Sequence, residues 1–313
     1  MSLEMETREE IVPCARCQSP VFDDELFCEE CGARAPGTAE EEQSPVARQV
    51  TDRLEHDLGV MAAVSDRGHR RYRNEDAVAV AAAGDRFVAV VGDGVASTAN
   101  PDQAAQAATA AALAVLEPLM YTPEWPGAER LEEILEEAFE EAQRAVIQVP
   151  DDEPDGNDLS PSTTLAAAVV RGTQIVVGNV GDSRAYWLSG DRVHGEALTV
   201  DDSWAEESIA QGVDRQVAYA HPDAHTITRW IGDDADSVTP TVVTFNVTEP
   251  GLLVVCTDGL WNYFDDPVRL AGLIPEGQGS PLELARVFTD AALRAGGHDN
   301  VTVAVVPLGP GAP

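Results

Sequence analysis

Positive charge is scarce in this chain of 313 residues. It has 20 Lys and Arg residues against 55 Asp and Glu residues, which gives a formal net charge of −35 at pH 7. A field of that sign repels nucleic acid phosphates, and no stretch rich in Lys and Arg offsets it locally. We therefore expect no nucleic acid as the main ligand.

Long apolar runs and aromatic residues are also lacking. No stretch of about eighteen apolar residues occurs, so no membrane span is expected. The first residues, MSLEMETREE, have neither the basic nor the apolar region of a secretory signal. These absences predict a cytoplasmic protein. Aromatic residues make up only 5% of the chain, so Val, Ala and Leu must do most of the core packing.

Acidic residues beside glycine end three apolar runs, which are RFVAVVGDG (86–94), IVVGNVGDSR (175–184) and GLLVVCTDG (251–259). Two further acidic couplets are Glu75-Asp76 and Asp299-Asn300. Taken singly, each Asp-Gly couplet is better explained as a tight turn. As a set, they suggest carboxylates presented at the ends of buried strands. Such a group repels itself unless a cation neutralises it, and oxygen ligands suit Mg²⁺ or Mn²⁺. The pattern predicts a metal-dependent enzyme that acts on an anionic group.

Four of the five cysteines form two Cys-x-x-Cys pairs, Cys14 with Cys17 and Cys28 with Cys31. Paired corners of this kind give the tetrahedral thiolate ligation that Zn²⁺ prefers in structural sites. Disulfides are the alternative, but they are disfavoured in a cytosolic chain. We predict one structural zinc ion, which supplies the folding energy of a segment too small to bury a core. The fifth cysteine, Cys256, is expected to be a buried apolar residue rather than a nucleophile.

Composition and periodicity divide the chain into four segments. Residues 1–11 are an acidic tail, 12–34 the zinc ribbon, and 35–56 a flexible polar linker containing Pro and Gly. Residues 57–309 form one large domain, in which two helices (102–117 and 128–148) precede a series of strands, a helix and a last strand. This order predicts an α+β fold of two packed antiparallel β-sheets flanked by helices, rather than a parallel βαβ fold.

Several short motifs follow one another along that domain. They are SDRG (65–68), RYRNED (71–76), GDG (92–94), STT (162–164), NVGDSR (179–184), LTVDDS (198–203), TDGLW (257–261) and HDNV (298–301). In kind and order they resemble the metal-dependent serine/threonine phosphatases of the protein phosphatase 2C (PPM) family, bacterial type. The resemblance extends from Leu58 to Val306, and it implies the same αββα sandwich.

The resemblance implies a role for each acidic position. Asp93 would bridge two Mg²⁺ or Mn²⁺ ions, with the carbonyl of Gly94 completing the shell of the first. Asp258 and Asp299 would hold the second ion, which Glu75 would reach through water. A water that bridges the ions would attack phosphorus without a phosphoenzyme.

Three further positions follow from the same resemblance. Asp76 would stand beside Glu75, and Asp182, together with Asp258, would support a weaker third ion. Arg71 would bind the substrate phosphate, because its guanidinium fork matches two phosphate oxygens.

The chain departs from the family pattern in two places. Residues 95–100 (VASTAN) stand where bacterial members usually have Met, two glycines and His. Asp201-Asp202-Ser203 replaces the usual Asp-His-Ser. Neither departure removes a predicted metal ligand or Arg71. Both bear on substrate fit and rate.

The sequence thus predicts a protein serine/threonine phosphatase that acts on phosphorylated proteins and reverses a partner Ser/Thr kinase. The zinc ribbon would be a protein-docking module. Two alternatives stay open. One is a catalytically weak pseudophosphatase that acts as a phosphoprotein-binding scaffold, and the other is a metal nuclease, which the charge disfavours.

Overall fold

The computed structural model describes residues 12–13, 20–21, 53–151, 159–277 and 279–309. The chain divides into two compact units, Met1–Val50 and Thr51–Pro313. In the first unit, strand β1 (Val12–Pro13) pairs antiparallel with β2 (Pro20–Val21). Cys14, Cys17, Cys28 and Cys31 lie outside the described residues, so the zinc ribbon stays a prediction.

The second unit contains two antiparallel sheets. Its strands are β3 (Arg53–Asp57), β4 (Ala62–Asp66), β5 (Asp76–Ala83), β6 (Arg86–Asp93), β7 (Ser162–Thr163), β8 (Leu165–Arg171), β9 (Gln174–Val180), β10 (Arg184–Ser189), β11 (Gly195–Ala197), β12 (Ile231–Gly232), β13 (Thr241–Asn246), β14 (Gly251–Cys256) and β15 (Val301–Leu308). The six-stranded sheet has the order β11-β10-β14-β15-β4-β3, and the five-stranded sheet has the order β13-β9-β8-β6-β5. Strands β7 and β12 pair with each other.

The helices of the second unit are α1 (Pro101–Leu116), α2 (Ala128–Val146), α3 (Trp204–Ala210), α4 (Arg215–Tyr219), α5 (Asp258–Trp261), α6 (Pro267–Ala271) and α7 (Pro281–Ala295), with a 3₁₀ turn at Glu117–Met120. All but the short α3 and α4 cover the outer faces of the two sheets, whereas α3 and α4 pack on each other outside them. In α2, Leu135 and Phe139 recur at helical spacing and pack on the five-stranded sheet. Phe288 of α7 packs on the six-stranded sheet. No helix in the described ranges is both long and apolar enough to span a bilayer.

Strand β6 shows why its residues form a central layer. Val88 and Val90 point to the helices α1 and α2, whereas Phe87, Ala89 and Val91 join the core between the two sheets. Successive side chains of a strand face opposite ways, so a strand covered on both faces is apolar at nearly every position. Full burial of each Val contributes about 1.5–3 kcal/mol.

The predicted fold class is confirmed for the second unit, since two antiparallel sheets lie between helical layers. Cys256 is buried, as expected. The predicted linker 35–56 is wrong at its end, because residues 53–56 belong to β3. This polar edge strand pairs antiparallel with β4 along its length, and its Glu55 also accepts a hydrogen bond from Arg286 of α7 (3.0 Å). The hydrophobic content of this strand is low, so its composition resembles that of a linker.

The sheets bring the ends of distant strands to one edge. Asp93 ends β6 and stands opposite Asp76, the first residue of β5. Cys256, at the end of β14, pairs with Val303 near the start of β15. The segments that flank this pair, 257–259 and 299–300, therefore pack closely. A Cβ at Gly259 would lie 1.8 Å from the backbone oxygen of Asn300, which only glycine avoids.

This close approach makes a stability prediction. Gly259→Ala must push the 299–300 backbone away, and we expect it to lower the free energy of unfolding by about 3 kcal/mol. Gly127→Ala is the control, because no atom lies within 4 Å of a Cβ there, and its change should stay below about 1 kcal/mol. Urea unfolding of both variants measures the difference. Equal losses would contradict the close approach.

Candidate metal centre

A pocket of about 150 Å³ lies at the strand-end edge of the two sheets. Seven of the residues predicted for the site line it, namely Arg71, Glu75, Asp93, Gly94, Asp182, Asp258 and Asp299. Val95, Ala96, Thr164 and Ile227 complete the lining. The pocket therefore brings together five carboxylates and one guanidinium from segments that are far apart in the sequence. Asp76, the remaining predicted residue, lies behind the pocket and is buried.

The backbone of Asp93 is fixed by two threonines. Its N–H donates to the hydroxyl of Thr164 (3.1 Å), and its carbonyl accepts from the N–H of Thr164 (2.8 Å) and the hydroxyl of Thr163 (2.9 Å). These bonds leave the carboxylate free to face the pocket. Burial, and then the charges of Asp76 and Asp258, hold the pKa of Asp93 well above its usual value.

Asp76 stands opposite Asp93 on the neighbouring strand β5. Its Oδ2 accepts a hydrogen bond from the hydroxyl of Thr257 (2.8 Å), while its buried Oδ1 has no hydrogen-bond partner. Burial is the main cause that raises the pKa of Asp76 to about 8, and the charges of Asp299 and Asp258 add to it. A buried carboxylate oxygen without a partner is costly, so it favours a nearby cation.

Asp258 begins the short helix α5. Its Oδ2 accepts from the side-chain amide of Asn262 (3.0 Å), and its buried Oδ1 has no hydrogen-bond partner. Burial, followed by the charge of Asp299, raises the pKa of Asp258 to about 6. Asp258 thus also carries an orphaned oxygen.

Asp182 sits in a turn between β9 and β10. Its backbone carbonyl accepts a hydrogen bond from the indole N–H of Trp261 (2.9 Å). Burial, and next the charge of Asp258, raise the pKa of Asp182 well above its ordinary value. The neighbouring Arg184 does not pair with it, because that guanidinium grips Asp201 with two bonds of 2.7 and 2.6 Å.

Asp299 is bound by Arg71. The arginine Nε lies 2.6 Å from Oδ1 and Nη2 lies 2.5 Å from Oδ2. Burial lowers the pKa of Arg71, but the hydrogen bonds and charge of Asp299 outweigh burial and raise that pKa above its ordinary value. Both oxygens of Asp299 thus face a guanidinium. In the described segments, no group of three acidic, His or Cys side chains is arranged closely enough to form the ligand shell of an ion.

Glu75 is positioned by a residue to which sequence reasoning gave no role. The side chain of Asn300 accepts from the N–H of Glu75 (2.8 Å) and donates to the carbonyls of Arg67 (2.8 Å) and Arg73 (3.0 Å). One amide therefore fixes the loop that carries both Arg71 and Glu75. The Asp-Asn couplet was the available signal, but nothing in it shows a contact with a segment 225 residues away.

The donor set fits hard divalent cations. All the candidate ligands are carboxylate or carbonyl oxygens, which suits Mg²⁺ or Mn²⁺ rather than softer metals. Two of the carboxylates, Asp76 and Asp258, have buried oxygens without partners. Burial is the first cause that raises the pKa of four aspartates, and the charges of neighbouring aspartates add to it.

Comparison with known proteins agrees with the fold. The sequence matches the family model of Protein phosphatase 2C over residues 66–280. Serine/threonine phosphatase stp of Listeria innocua is 31% identical over 245 residues, which cover 77% of this chain and 93% of that protein. Serine/threonine protein phosphatase PstP of Mycobacterium tuberculosis is 32% identical over 249 residues, covering 79% of this chain and 44% of that protein.

Solved structures show the same architecture. The serine/threonine phosphatase Stp1 of Staphylococcus aureus superposes with a TM-score of 0.67 at 22% identity, covering 81% of this chain and 96% of that one. PstP/Ppp of Mycobacterium tuberculosis gives a TM-score of 0.62 at 28% identity, covering 80% and 98%. The chain belongs to the protein phosphatase 2C family.

The acidic pocket predicts how the stability of the metal-free protein depends on pH. Folding raises the pKa of Asp258 to about 6 and that of Asp76 to about 8, whereas an unfolded Asp titrates near 3.9. Between about pH 4 and pH 8 the folded state therefore binds more protons than the unfolded chain, so its stability falls as pH rises. We expect the Tm of the metal-free protein to drop from about pH 5 to pH 8, and Mg²⁺ to reverse the drop.

Asp93→Asn tests the cause of this dependence. Removal of one charge from the cluster should raise the Tm of the metal-free protein at pH 8, flatten its pH dependence and reduce the stabilisation by Mg²⁺. Asp233→Asn, at an exposed position outside the pocket, is the control. A metal-free Asp93→Asn variant that melts below the wild type at pH 8 would refute repulsion within the pocket.

Proposed function

We propose that this member of the protein phosphatase 2C family is a metal-dependent phosphatase that removes phosphate from serine and threonine side chains of proteins. One observation carries the proposal. The predicted ligands Asp93, Asp258 and Asp299 line the same pocket as Arg71, although they come from four separate segments. The match to serine/threonine phosphatases over most of the chain supports the activity.

In this proposal the cation ligands are Asp93, the carbonyl of Gly94, Asp258 and Asp299, with Asp182 at a weaker third position. Glu75, in the pocket wall, would reach the second cation through water, and Asp76 would support the site from the strand next to Asp93. Two divalent cations held there would supply Lewis-acid chemistry, both by lowering the pKa of a water nucleophile and by neutralising charge on the phosphoryl group.

The chain's own residues orient the substrate. Arg71 has two N–H groups that now face the oxygens of Asp299 in parallel, and the same fork fits two oxygens of a phosphate monoester. The carboxylates around it repel an anion, so Arg71 is the group in the pocket lining that attracts one. Thr163 and Thr164 hold the backbone of Asp93 in place, so its carboxylate keeps its position in the pocket during the reaction.

The partners follow from this activity. Its substrates would be phosphorylated proteins made by a Ser/Thr kinase, and the zinc ribbon would recruit them or the kinase. A cytoplasmic location and a ribbon of residues 12–34 with one zinc ion remain predictions from the sequence.

Phosphate release tests the activity. The full chain with Mn²⁺ should release phosphate from a small aryl phosphate and from a phosphothreonine peptide. Asp93→Ala should reduce kcat on the order of a thousandfold, because it removes the shared cation ligand. Arg71→Ala should mainly raise the KM, by about tenfold or more, because it removes a charge-assisted phosphate contact.

Asp233→Asn serves as the control for charge outside the pocket. A wild-type chain that binds the phosphopeptide but releases no phosphate with Mn²⁺ or Mg²⁺ would overturn the proposal and favour the scaffold alternative. Cleavage of DNA or RNA would favour the nuclease.

The zinc ribbon has its own test. Metal analysis of the full chain should find one zinc per molecule, and the double variant Cys17→Ser/Cys31→Ser should lose it. Cys256→Ala is the matched control, since it removes the fifth cysteine and should keep the zinc. Retention of zinc in the double variant would disprove thiolate ligation by these pairs.

A further inference from the structure

One stretch of the second unit leaves the sandwich and returns to the metal centre. We call residues 203–228 the excursion; it contains α3 and α4 and a small core of Ala205, Ala218 and Ala224. The two ends of the excursion contact each other, and we call this contact its base. Ser203 forms a β-bridge with Ile227, and the N–H of Thr228 donates to the carbonyl of Asp202 (2.9 Å).

The base of the excursion borders the pocket. Ile227 lines the pocket together with Asp182. Any movement of the excursion about its base therefore changes the wall that faces Asp182. What fixes this base relative to the Asp182 turn decides the shape of that side of the site.

Two successive aspartates hold the two ends of the Asp182 turn. Asp201 grips Arg184 with two bonds, at the end of the turn, and both side chains are nearly buried. Asp202 holds the start of the turn. Its Oδ2 accepts from the N–H of Gly181 (2.9 Å), and its own N–H donates to the Gly181 carbonyl (2.9 Å).

Gly181 leaves little freedom at that point. Its φ is +92°, and a Cβ there would lie 2.7 Å from Thr164 Cγ2. The turn is thus pressed against Thr164, a residue of the pocket wall. Its attachment on the other side is to Asp202.

Asp202 also binds Arg229, which follows the end of the excursion and precedes β12. Its Oδ1 accepts from Nη1 of Arg229 (3.1 Å), and Nη2 of Arg229 donates to the carbonyl of Thr239. Both members of the pair are mostly shielded, with exposed side-chain fractions of 26% for Arg229 and 15% for Asp202. One carboxylate therefore joins the Asp182 turn to both ends of the excursion.

A histidine at position 202, as in the usual Asp-His-Ser pattern, could not do the same. A neutral imidazole has one acceptor nitrogen, so it cannot bind the Gly181 amide and a guanidinium together. The departure from the family pattern therefore comes with a contact set that needs a carboxylate.

We propose that Asp202, paired with Arg229, is a positioning residue that locks the 203–228 excursion to the turn carrying Asp182, and so sets the phosphopeptide-facing wall of the site. The kinetic consequence of this inference rests on the proposed phosphatase function, whereas the lock itself is a structural statement that does not depend on that function. The lock acts through Asp182 and Ile227, while Asp93 keeps its own supports from Thr163 and Thr164.

Hydrogen exchange of the full metal-free chain tests the lock directly. In Asp202→Ala we expect the amides of residues 181–184 and 226–229 to exchange about tenfold faster, because bonds to a charged acceptor are lost. Asp202→Asn keeps an oxygen for the Gly181 amide but loses the charge that pairs with Arg229. It should therefore accelerate 226–229 more than 181–184. Should Asp202→Ala fail to fold, this asymmetry in Asp202→Asn decides.

Kinetics with saturating Mn²⁺ tests the consequence. The KM for a phosphothreonine peptide should rise about fivefold or more in Asp202→Ala, while kcat for a small aryl phosphate should change less than about twofold. A residue needed only for folding would lower the active fraction and hence kcat on both substrates, without raising the KM.

Glu206→Gln is the matched control, because it cuts the Glu206–Arg215 pair (3.0 Å) inside the excursion without touching the turn. It should leave exchange at residues 181–184 as in the wild type. The proposal is overturned by unchanged exchange at 181–184 in Asp202→Ala, or by equal acceleration there in Glu206→Gln. An inactive wild type would remove the phosphatase function, while the exchange result would still decide the lock.

Discussion

Repulsion among buried carboxylates is the constraint on which this structure depends. Five acidic side chains share one pocket with a single arginine, and Asp76 stands behind them. Two like charges about 4 Å apart cost about 4 kcal/mol at an effective dielectric constant of about 20. A few such pairs rival the whole stability of a domain, about 5–15 kcal/mol. Only a stiff scaffold can hold them, and strands buried on both faces, such as β6, provide it.

The supports around the carboxylates are mostly neutral. Hydroxyl and amide groups of Thr164, Thr257, Asn262 and Asn300 fix backbones or single carboxylate oxygens. Arginines pair with two of the carboxylates, Arg71 with Asp299 and Arg73 with Glu75, whereas Arg184 pairs with Asp201 outside the pocket lining. The neutral supports hold Asp76, Asp93 and Asp258 in place without satisfying their charge. The pocket thus keeps an unmet demand for positive charge, which is what a site for divalent cations requires.

The sequence predicted what depends on local pattern. Apolar runs ending in acidic residues located β6, β9 and β14 and placed Asp93 and Asp258 at strand ends. It failed where tertiary contacts decide. Strand β3 looks like a linker in the sequence, because its pairing with β4 and its ion pair with Arg286 depend on tertiary contacts and not on hydrophobic content. The contact between Asn300 and Glu75 joins segments that no periodicity in the sequence connects, and so does the contact between Asp202 and Arg229.

The pair between Arg71 and Asp299 links the two halves of the proposed chemistry. Two N–H groups of the Arg71 guanidinium face both oxygens of Asp299, and these are oxygens that a cation would use. If Asp299 bound a cation, Arg71 would have to release Asp299. The released guanidinium, still in an acidic pocket, would then be available to bind another anion. A phosphate monoester is the matching one. Cation and phosphate would then favour each other's binding, and linkage makes that coupling reciprocal. The same arginine would thus serve both the carboxylates of the pocket and the phosphate of the substrate.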